Sequence, residues 1–288
     1  MTDTTDLDPR FNAFRPDLAD LSLKPFVTSV RFVEPTLHQC VRGVLPLYES
    51  PSEQALRLSE VRYGEFLDVF ETREDGFAWV QSRNDRIVGY IRHEGALNQS
   101  IAALMNRVCA LRTFVYSEPD FSSPVRDCLT LGSYISLDGE AGDFYPLASG
   151  GYIFKRHAAP SDEVFYRDLV FTAGQLMNVP YLVGGRTPLG LDAAGMVQLA
   201  LDIAGIDAPS AIDQQQAQLG APLPCHWRDM VWRRGDIVFF SGPRAHVGLM
   251  TGTDHLISAS PFHMKVTTEP LMEVIRQGYR IVAAGHPA

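Results

Sequence analysis

The apolar positions after residue 192 follow the period of an amphipathic helix. Its apolar face comprises Met196, Leu199, Ala200, Ile203 and Ala204. This spacing of three and four residues predicts a helix over about 193–205. Asp192 stands at the N-cap position, where a carboxylate can accept from the free N–H groups of the first turn. Gly205 is placed to end the helix as its C′ residue.

The polar and apolar pattern changes after this helix to short runs that predict strands. They cover 237–240, 246–250, 256–259 and 263–267, and they follow one another closely enough to form an antiparallel meander. A second helix is expected over 165–176, before the first one. Helices followed by a run of strands favour an α+β domain over 160–288.

The N-terminal half is also rich in short β-branched and aromatic runs, at 44–48, 66–70, 78–80 and 87–91. Three of its residues recur with the same spacing in a second copy: Tyr48, Pro51 and Gly64 correspond to Tyr116, Pro119 and Gly132. We therefore predict two small β-barrels, over 32–95 and 107–158, behind an irregular arm over 1–31. A helix over 97–105 is expected to connect them. The alternative is two unrelated meanders that share only their turn residues.

Composition and charge exclude several classes of protein. The net charge of −9 and the lack of a basic cluster argue against a nucleic-acid partner or an anionic membrane surface. No apolar run approaches the ~18 residues of a membrane span, so we expect no membrane insertion. The first 21 residues are acidic and polar, unlike a signal peptide, and we expect a cytoplasmic protein. The four cysteines lack CxxC spacing, which favours reduced thiols over a zinc site.

The stretch 180–197, which reads PYLVGGRTPLGLDAAGMV, resembles the nucleophile segment of the NlpC-type murein-peptide cysteine peptidases. The matching positions are Pro180-Tyr181, Gly184-Gly185, Gly190, Asp192 and Gly195. The resemblance implies a papain-like α+β domain preceded by two bacterial SH3-like barrels. In that family a cysteine opens the helix, where the helix dipole lowers the pKa of the thiol. This chain has Ala193 at that position, which has nothing to ionise.

The same resemblance assigns the other catalytic positions. His246 falls on the general base, and the preceding RRGDIVFF at 233–240 has the spacing of the family. The third position, usually a second histidine that orients the base, is Ser258. A serine can form a hydrogen bond with an imidazole but stabilises an imidazolium poorly. His255 and His263 lie at odd offsets from 258, so a strand would direct them to the opposite face.

The substrate-binding positions are partly kept. Tyr181 and Asp192 match residues that contact the free amine of the peptide, although a core tyrosine and a helix N-cap would explain them equally well. Ala194 replaces a serine that helps to hold this amine. Val183 and Ser210-Ala211 also depart from the family pattern.

These losses around one site favour a catalytically inactive homologue of the γ-D-glutamyl-diamino-acid endopeptidases. It would bind a murein-derived peptide or a protein partner in the degenerate cleft, with no cofactor and no metal. Two alternatives stay open at this point. The chain is an active peptidase with an engineered Cys-to-Ala change at Ala193, or its nucleophile has moved to another thiol such as Cys225.

Overall fold

The structure is a computed structural model of the chain, and it describes residues 7–99 and 102–287. The chain divides into two compact units, Met1–Asp162 and Glu163–Ala288. The predicted domain boundaries within the first unit, at 31, 95, 107 and 158, stay predictions.

The N-terminal unit consists almost entirely of short strands. In chain order they are β1 (Leu18–Asp20), β2 (Arg31–Val33), β3 (Thr36–Cys40), β4 (Val44–Tyr48), β5 (Arg57–Arg62), β6 (Phe66–Thr72), β7 (Phe77–Ser82), β8 (Val88–Arg92), β9 (Leu97–Asn98), β10 (Asn106–Val108), β11 (Arg112–Tyr116), β12 (Val125–Thr130), β13 (Tyr134–Ile135), β14 (Phe144–Pro146), β15 (Tyr152–Phe154) and β16 (Ala158–Pro160). Two 3-10 turns cover Leu21–Leu23 and Lys155–His157. The first segment forms a seven-stranded sheet in the order β5-β4-β8-β7-β6-β3-β9. The second forms sheets in the orders β12-β11-β15-β14 and β13-β10-β16.

The two segments share the local geometry that the repeated residues predict. Tyr48 ends β4 directly after a register shift and pairs with Tyr90 of β8. Tyr116 ends β11 after the same kind of shift and pairs with Tyr152 of β15. Gly64 and Gly132 both have a positive φ, of 84° and 82°. Tyr48 and Tyr116 therefore occupy the same place in the two strand sets, as do Gly64 and Gly132.

Two expectations for this unit need correction or refinement. The helix predicted over 97–105 is wrong in the described residues, because Leu97–Asn98 form β9 and pair with β3; residues 100 and 101 lie outside the described residues. In the predicted arm, β1 pairs in parallel with β2. The arm also contributes Ala13 and Leu18 to an apolar cluster with Phe70, Trp79 and Val88.

The C-terminal unit combines short helices with one five-stranded sheet. Its elements are α1 (Leu169–Gln175), β17 (Arg186–Thr187), β18 (Gly190–Leu191), α2 (Ala193–Ile203), α3 (Ile212–Leu219), a 3-10 turn (Trp227–Asp229), β19 (Ile237–Ser241), β20 (His246–Met250), β21 (His255–Ser260), β22 (Lys265–Pro270), α4 (Leu271–Arg276) and β23 (Arg280–Gly285). The sheet order is β22-β21-β20-β19-β23, with antiparallel neighbours throughout. The predicted meander of four strands is thus confirmed, and β23 extends it beside β19.

The helix at the centre of this unit is buried along almost its whole length. α2 packs against α1 and against β20 and β21, two neighbouring interior strands of the sheet that carry His246 and Ser258. It ends where expected, because Ala204 closes the last turn and Gly205 follows with a φ of 78°. Removing this apolar helix from water supplies a large part of the hydrophobic driving force for folding of the unit.

The other helices differ from the sequence expectation in their limits. α1 begins at Leu169 rather than near 165, because the Asp168 carboxylate accepts from the N–H groups of Val170 and Phe171 and so fixes the first turn there. The glutamine-rich segment forms α3. Its Gln215 is buried and donates from Nε2 to the carbonyl oxygens of Ala194 and Pro209, which ties α3 to the start of α2.

Candidate functional site

The site is built around the N-terminus of α2. Asp192 precedes the helix, and its Oδ1 accepts from the Gly195 N–H at 2.7 Å while its Oδ2 accepts from the Gly184 N–H at 2.9 Å. The carboxylate therefore fixes both the helix start and the glycine turn before it. In the part of the chain that the structure describes, the backbone N–H groups of Ala193 and Ala194 have no acceptor, as is usual in a first helical turn.

The glycines of this segment allow the backbone to approach the helix closely. A Cβ atom at Gly195 would stand 2.1 Å from the carbonyl oxygen of Gly185, which no real Cβ contact shows. Gly184 has a φ of 69°, in the left-handed region that favours glycine. Glycine is thus required at these positions because the turn packs closely against the helix. This requirement is independent of the residue at position 193.

Ala193 and Ala194 are the first two residues of α2, and both are buried, at 3% and 4% exposure. A side chain at position 193 would lie at the positive end of the helix dipole, where a thiolate is stabilised. The methyl group of alanine has neither a proton to lose nor a lone pair. Position 193 therefore offers no ionisable group to the start of this helix.

His246 and Ser258 are in direct contact. The His246 Nε2 atom lies 3.1 Å from the Ser258 Oγ atom, and both residues are buried. The sheet register explains the contact. Leu249 of β20 pairs with Ile257 of β21, so the next position along each strand brings residue 248 opposite Ser258. His246 lies two residues from position 248 and therefore on the same face of the sheet. The Nδ1 atom of His246 has no hydrogen-bond partner among the described residues.

Burial makes His246 a neutral residue. Removing the imidazole from water disfavours its charged form and lowers its pKa from 6.5 to about 4. The aromatic rings of Tyr279 and Phe240 lie 5.1 Å and 5.8 Å from the imidazole ring, centroid to centroid, and complete this apolar surrounding. Ser258 supplies a hydrogen bond but no negative charge that would offset the desolvation.

Tyr181 lies near the start of α2, since it is bridged to Leu191, the residue before Asp192. Burial raises the pKa of its phenol, and the nearby Asp192 carboxylate raises it further. Arg244 acts in the opposite direction on Tyr181 and also on Tyr279, so its charge lies close to both phenols. Arg244 itself is exposed, and in the described residues it has no acidic partner.

Sequence reasoning missed Tyr279 and Arg244. Tyr279 lies at the end of the chain next to Arg280 and carries no motif, and only the fold brings it beside His246. Arg244 lies only two residues before His246, and this short separation from the candidate base could have identified it as a neighbour of the site.

His255 and His263 both have acidic partners of their own. His255 contacts Asp254 at 2.9 Å, and the His263 Nε2 atom lies 3.3 Å from the Glu269 carboxylate. Neither has a contact with His246 among the described residues. Cys225, the other thiol considered, is exposed in the segment between α3 and β19.

Two further observations concern the chain as described. Within residues 7–99 and 102–287, no group of three or more His, Cys, Asp or Glu side chains is arranged to hold a metal ion. None of the helices in this part is sufficiently long and apolar to cross a membrane.

A helix whose N-terminus faces a meander of antiparallel strands, with a buried histidine on the second strand, defines the papain-like α+β fold. Comparison with known proteins narrows this class. Residues 178–283 match the NlpC/P60 family, and residues 47–95 match the bacterial dipeptidyl-peptidase SH3 domain. The C-terminal unit is therefore a domain of the NlpC/P60 family, a family of cell-wall peptidase type, and a bacterial SH3 domain precedes it.

Individual relatives agree with this assignment. The chain is 26% identical over 237 residues to dipeptidyl-peptidase 6 of Lysinibacillus sphaericus, covering 74% of this chain and 84% of that one. It is 34% identical over 131 residues to the gamma-DL-glutamyl hydrolase of Bacillus subtilis (strain 168); this match covers 43% of this chain and only 30% of that hydrolase. A solved NlpC/P60 family protein from Bacillus cereus ATCC 10987 has the same fold, with a TM-score of 0.70 at 15% identity, covering 87% of this chain and 99% of that one.

Proposed function

We propose that the chain is a non-catalytic homologue of the γ-D-glutamyl-diamino-acid cysteine endopeptidases and that its C-terminal domain binds a murein-derived peptide without cleaving it. The single observation that carries the proposal is Ala193 at the first position of α2. Cysteine peptidases begin by thiolate attack on the scissile carbonyl carbon, which forms a covalent intermediate. An alanine methyl group cannot form that bond.

The state of His246 supports the absence of catalysis. A general base must accept a proton and then hold a positive charge while the intermediate forms. His246 is 3% exposed, has a pKa of about 4 and is hydrogen-bonded to an uncharged serine. An imidazolium at this position would lack any compensating charge from Ser258. Hydrolysis by water through His246 would lose the covalent step and be slower by orders of magnitude.

The retained residues support peptide binding. The first two N–H groups of α2 are free to hold a peptide carbonyl oxygen, and the helix dipole favours partial negative charge there. Tyr181 is bridged to Leu191, the residue before Asp192, and the Asp192 carboxylate acts electrostatically on the Tyr181 phenol. A carboxylate oxygen can accept more than one hydrogen bond, so a residue that caps a helix can also contact a ligand amine. The name of the Bacillus subtilis relative describes hydrolysis of gamma-DL-glutamyl bonds, which is the linkage class we propose for the ligand.

The test uses the peptide L-Ala-γ-D-Glu-diaminopimelate with the intact protein. We expect calorimetry to show binding and mass spectrometry to show an unchanged peptide. The same peptide with an acetylated amine is the matched ligand control, and it should bind roughly tenfold more weakly because a charge-assisted hydrogen bond is lost. Tyr181→Phe, which removes one hydroxyl, should weaken binding of the free-amine peptide.

Two results would contradict the proposal. Turnover at ~1 s⁻¹ or more, abolished by His246→Ala, would show an active enzyme. Equal binding of the free and acetylated peptides, unaffected by Tyr181→Phe, would show that the ligand does not use this cleft.

A further inference from the structure

The N-terminal unit contains a second place with the features of a ligand site. A cleft of about 420 Å³ lies between the two strand sets of this unit. Its walls come from the segments around 41–42, 63, 95–98, 115, 126–127 and 147–150. This volume falls within the ~300–1,000 Å³ that is usual for small-molecule pockets. It is far larger than the ~30 Å³ of a water molecule, so a single small ion would leave most of it unfilled.

The walls of the cleft are held rigidly relative to each other. Tyr63 follows β5 of the first strand set, yet its ring belongs to the apolar core of the second, with Val115, Leu129 and Leu147. The Tyr63 carbonyl oxygen accepts from the Tyr134 N–H at 3.1 Å, and the Tyr63 hydroxyl is hydrogen-bonded to Ser149. The cleft is therefore formed before any ligand arrives, which lowers the entropic cost of binding.

A close backbone contact closes one side of the cleft. The Gly43 N–H donates to the Asp127 carboxylate at 2.9 Å. A Cβ atom at Gly43 would stand 2.0 Å from the carbonyl oxygen of Cys128, so only glycine permits this approach. The second Asp127 oxygen accepts from the Cys128 N–H at 2.7 Å. Asp127 is thus fixed in position as a negative charge in the cleft wall.

Two arginines supply the opposite charge. Arg42 and Arg126 both line the cleft and are exposed, and within the described residues neither has an acidic partner. The chain as a whole carries a net charge of −9, and arginines such as Arg57 and Arg83 of this unit pair with carboxylates. Two unpaired guanidinium groups in one preformed cleft are a feature of sites for carboxylates or phosphates, which guanidinium groups bind with two parallel hydrogen bonds.

The apolar part of the cleft lining favours a peptide over an inorganic anion as the ligand. Val41, Leu97, Val115 and Leu147 give the cleft apolar walls between its charged groups. Such walls favour aliphatic parts of a ligand, which phosphate or sulfate does not have. We propose that this cleft binds a short acidic peptide, whose carboxylates contact Arg42 and Arg126 and whose free amine contacts Asp127. The proposal does not depend on the function of the C-terminal domain.

The first experiment varies the ligand and leaves the protein intact. Calorimetry is carried out with the dipeptide Glu-Glu, its neutral analogue Gln-Gln, N-acetyl-Glu-Glu and inorganic phosphate. We expect Glu-Glu to bind, Gln-Gln and the acetylated peptide to bind at least tenfold more weakly, and binding to weaken as salt is raised. Phosphate binding as tight as Glu-Glu would overturn the peptide proposal in favour of a simple anion site, and no binding of Glu-Glu would overturn it entirely.

The second experiment varies the protein. Arg42→Gln and Arg126→Gln should each weaken Glu-Glu binding roughly tenfold, since each removes a charge-assisted contact. Arg156→Gln is the matched control, because it makes the same charge change at an exposed arginine of the same unit that does not line this cleft. Circular dichroism melts establish that each variant is folded. An equal loss of Glu-Glu affinity in Arg156→Gln would overturn the proposal, because the affinity would then depend only on the net charge of the protein.

Discussion

The buried histidine should make the C-terminal unit sensitive to acid. His246 is neutral in the folded protein, with a pKa of about 4, whereas it regains its ordinary value of 6.5 when the chain unfolds. Between these two values the unfolded chain binds the proton and the folded chain does not. Above pH 6.5 the histidine is neutral in both states and does not lower the free energy of unfolding. As the pH falls from 6.5 toward 4, protonation of the unfolded chain lowers the free energy of unfolding progressively.

The size of the effect follows from the two pKa values. A tenfold difference in proton affinity corresponds to ~1.4 kcal/mol, so the interval between 6.5 and about 4 corresponds to about 3 kcal/mol. That is a large fraction of the ~5–15 kcal/mol that stabilises a typical domain. His246 is buried at 3% exposure, so little of this difference is lost to screening by solvent.

The assay is urea unfolding at pH 7 and pH 4, followed by tryptophan emission. The protein has three tryptophans, Trp79, Trp227 and Trp232, of which only Trp79 belongs to the N-terminal unit. A Trp79→Phe background therefore restricts the signal to the C-terminal unit. Between pH 7 and pH 4, the free energy of unfolding should fall by about 3 kcal/mol more in this background than after the further change His246→Gln.

The control variant removes a different imidazole from the same sheet. His255→Gln alters a half-buried histidine of β21 and should leave most of the pH dependence in place. If the free energy of unfolding varied with pH in the same way in the Trp79→Phe background and after the further change His246→Gln, the reasoning would be refuted. Such a result would show that burial does not keep His246 neutral.

Two further predictions concern the start of α2. The double change Ala193→Cys with Ser258→His should give a thiol whose pKa lies below the free value of ~8.5, measured by the rate of iodoacetamide alkylation against pH. A pKa at or above ~8.5 would show that the helix start and base no longer have the geometry of a dyad, while full peptidase activity from Ala193→Cys alone would favour an active enzyme altered at that position. Gly195→Ala should lower the free energy of unfolding by ~1–3 kcal/mol through the clash with the Gly185 carbonyl oxygen. Its matched control is Gly174→Ala in α1, where a Cβ meets no atom within 4 Å, and which should be neutral or stabilising by up to ~1 kcal/mol; equal effects would contradict the close approach.

Local patterns in the sequence determined the elements whose stability depends on near neighbours. The helical spacing after Asp192, the N-cap itself and Gly205 predicted α2 to within two residues, because caps and periodicity act over one or two turns. The strands carrying His246 and Ser258 were likewise predicted from short apolar runs, which are also a local pattern. The absence of an ionisable group at position 193 is also a property of the sequence alone, since no fold changes the side chain of alanine.

Other features depended on contacts between residues far apart in the chain. The helix expected over 97–105 failed because Leu97 pairs with Cys40, and pairing with a distant strand outweighs a weak local preference. The cleft beside Arg42 and Arg126 exists because the Tyr63 ring inserts into the core of the second strand set. Likewise, the low pKa of His246 results from burial beside Tyr279, which follows it by more than thirty positions. Burial and electrostatic surroundings are set by whatever the chain brings together on folding, and only the tertiary structure decides that.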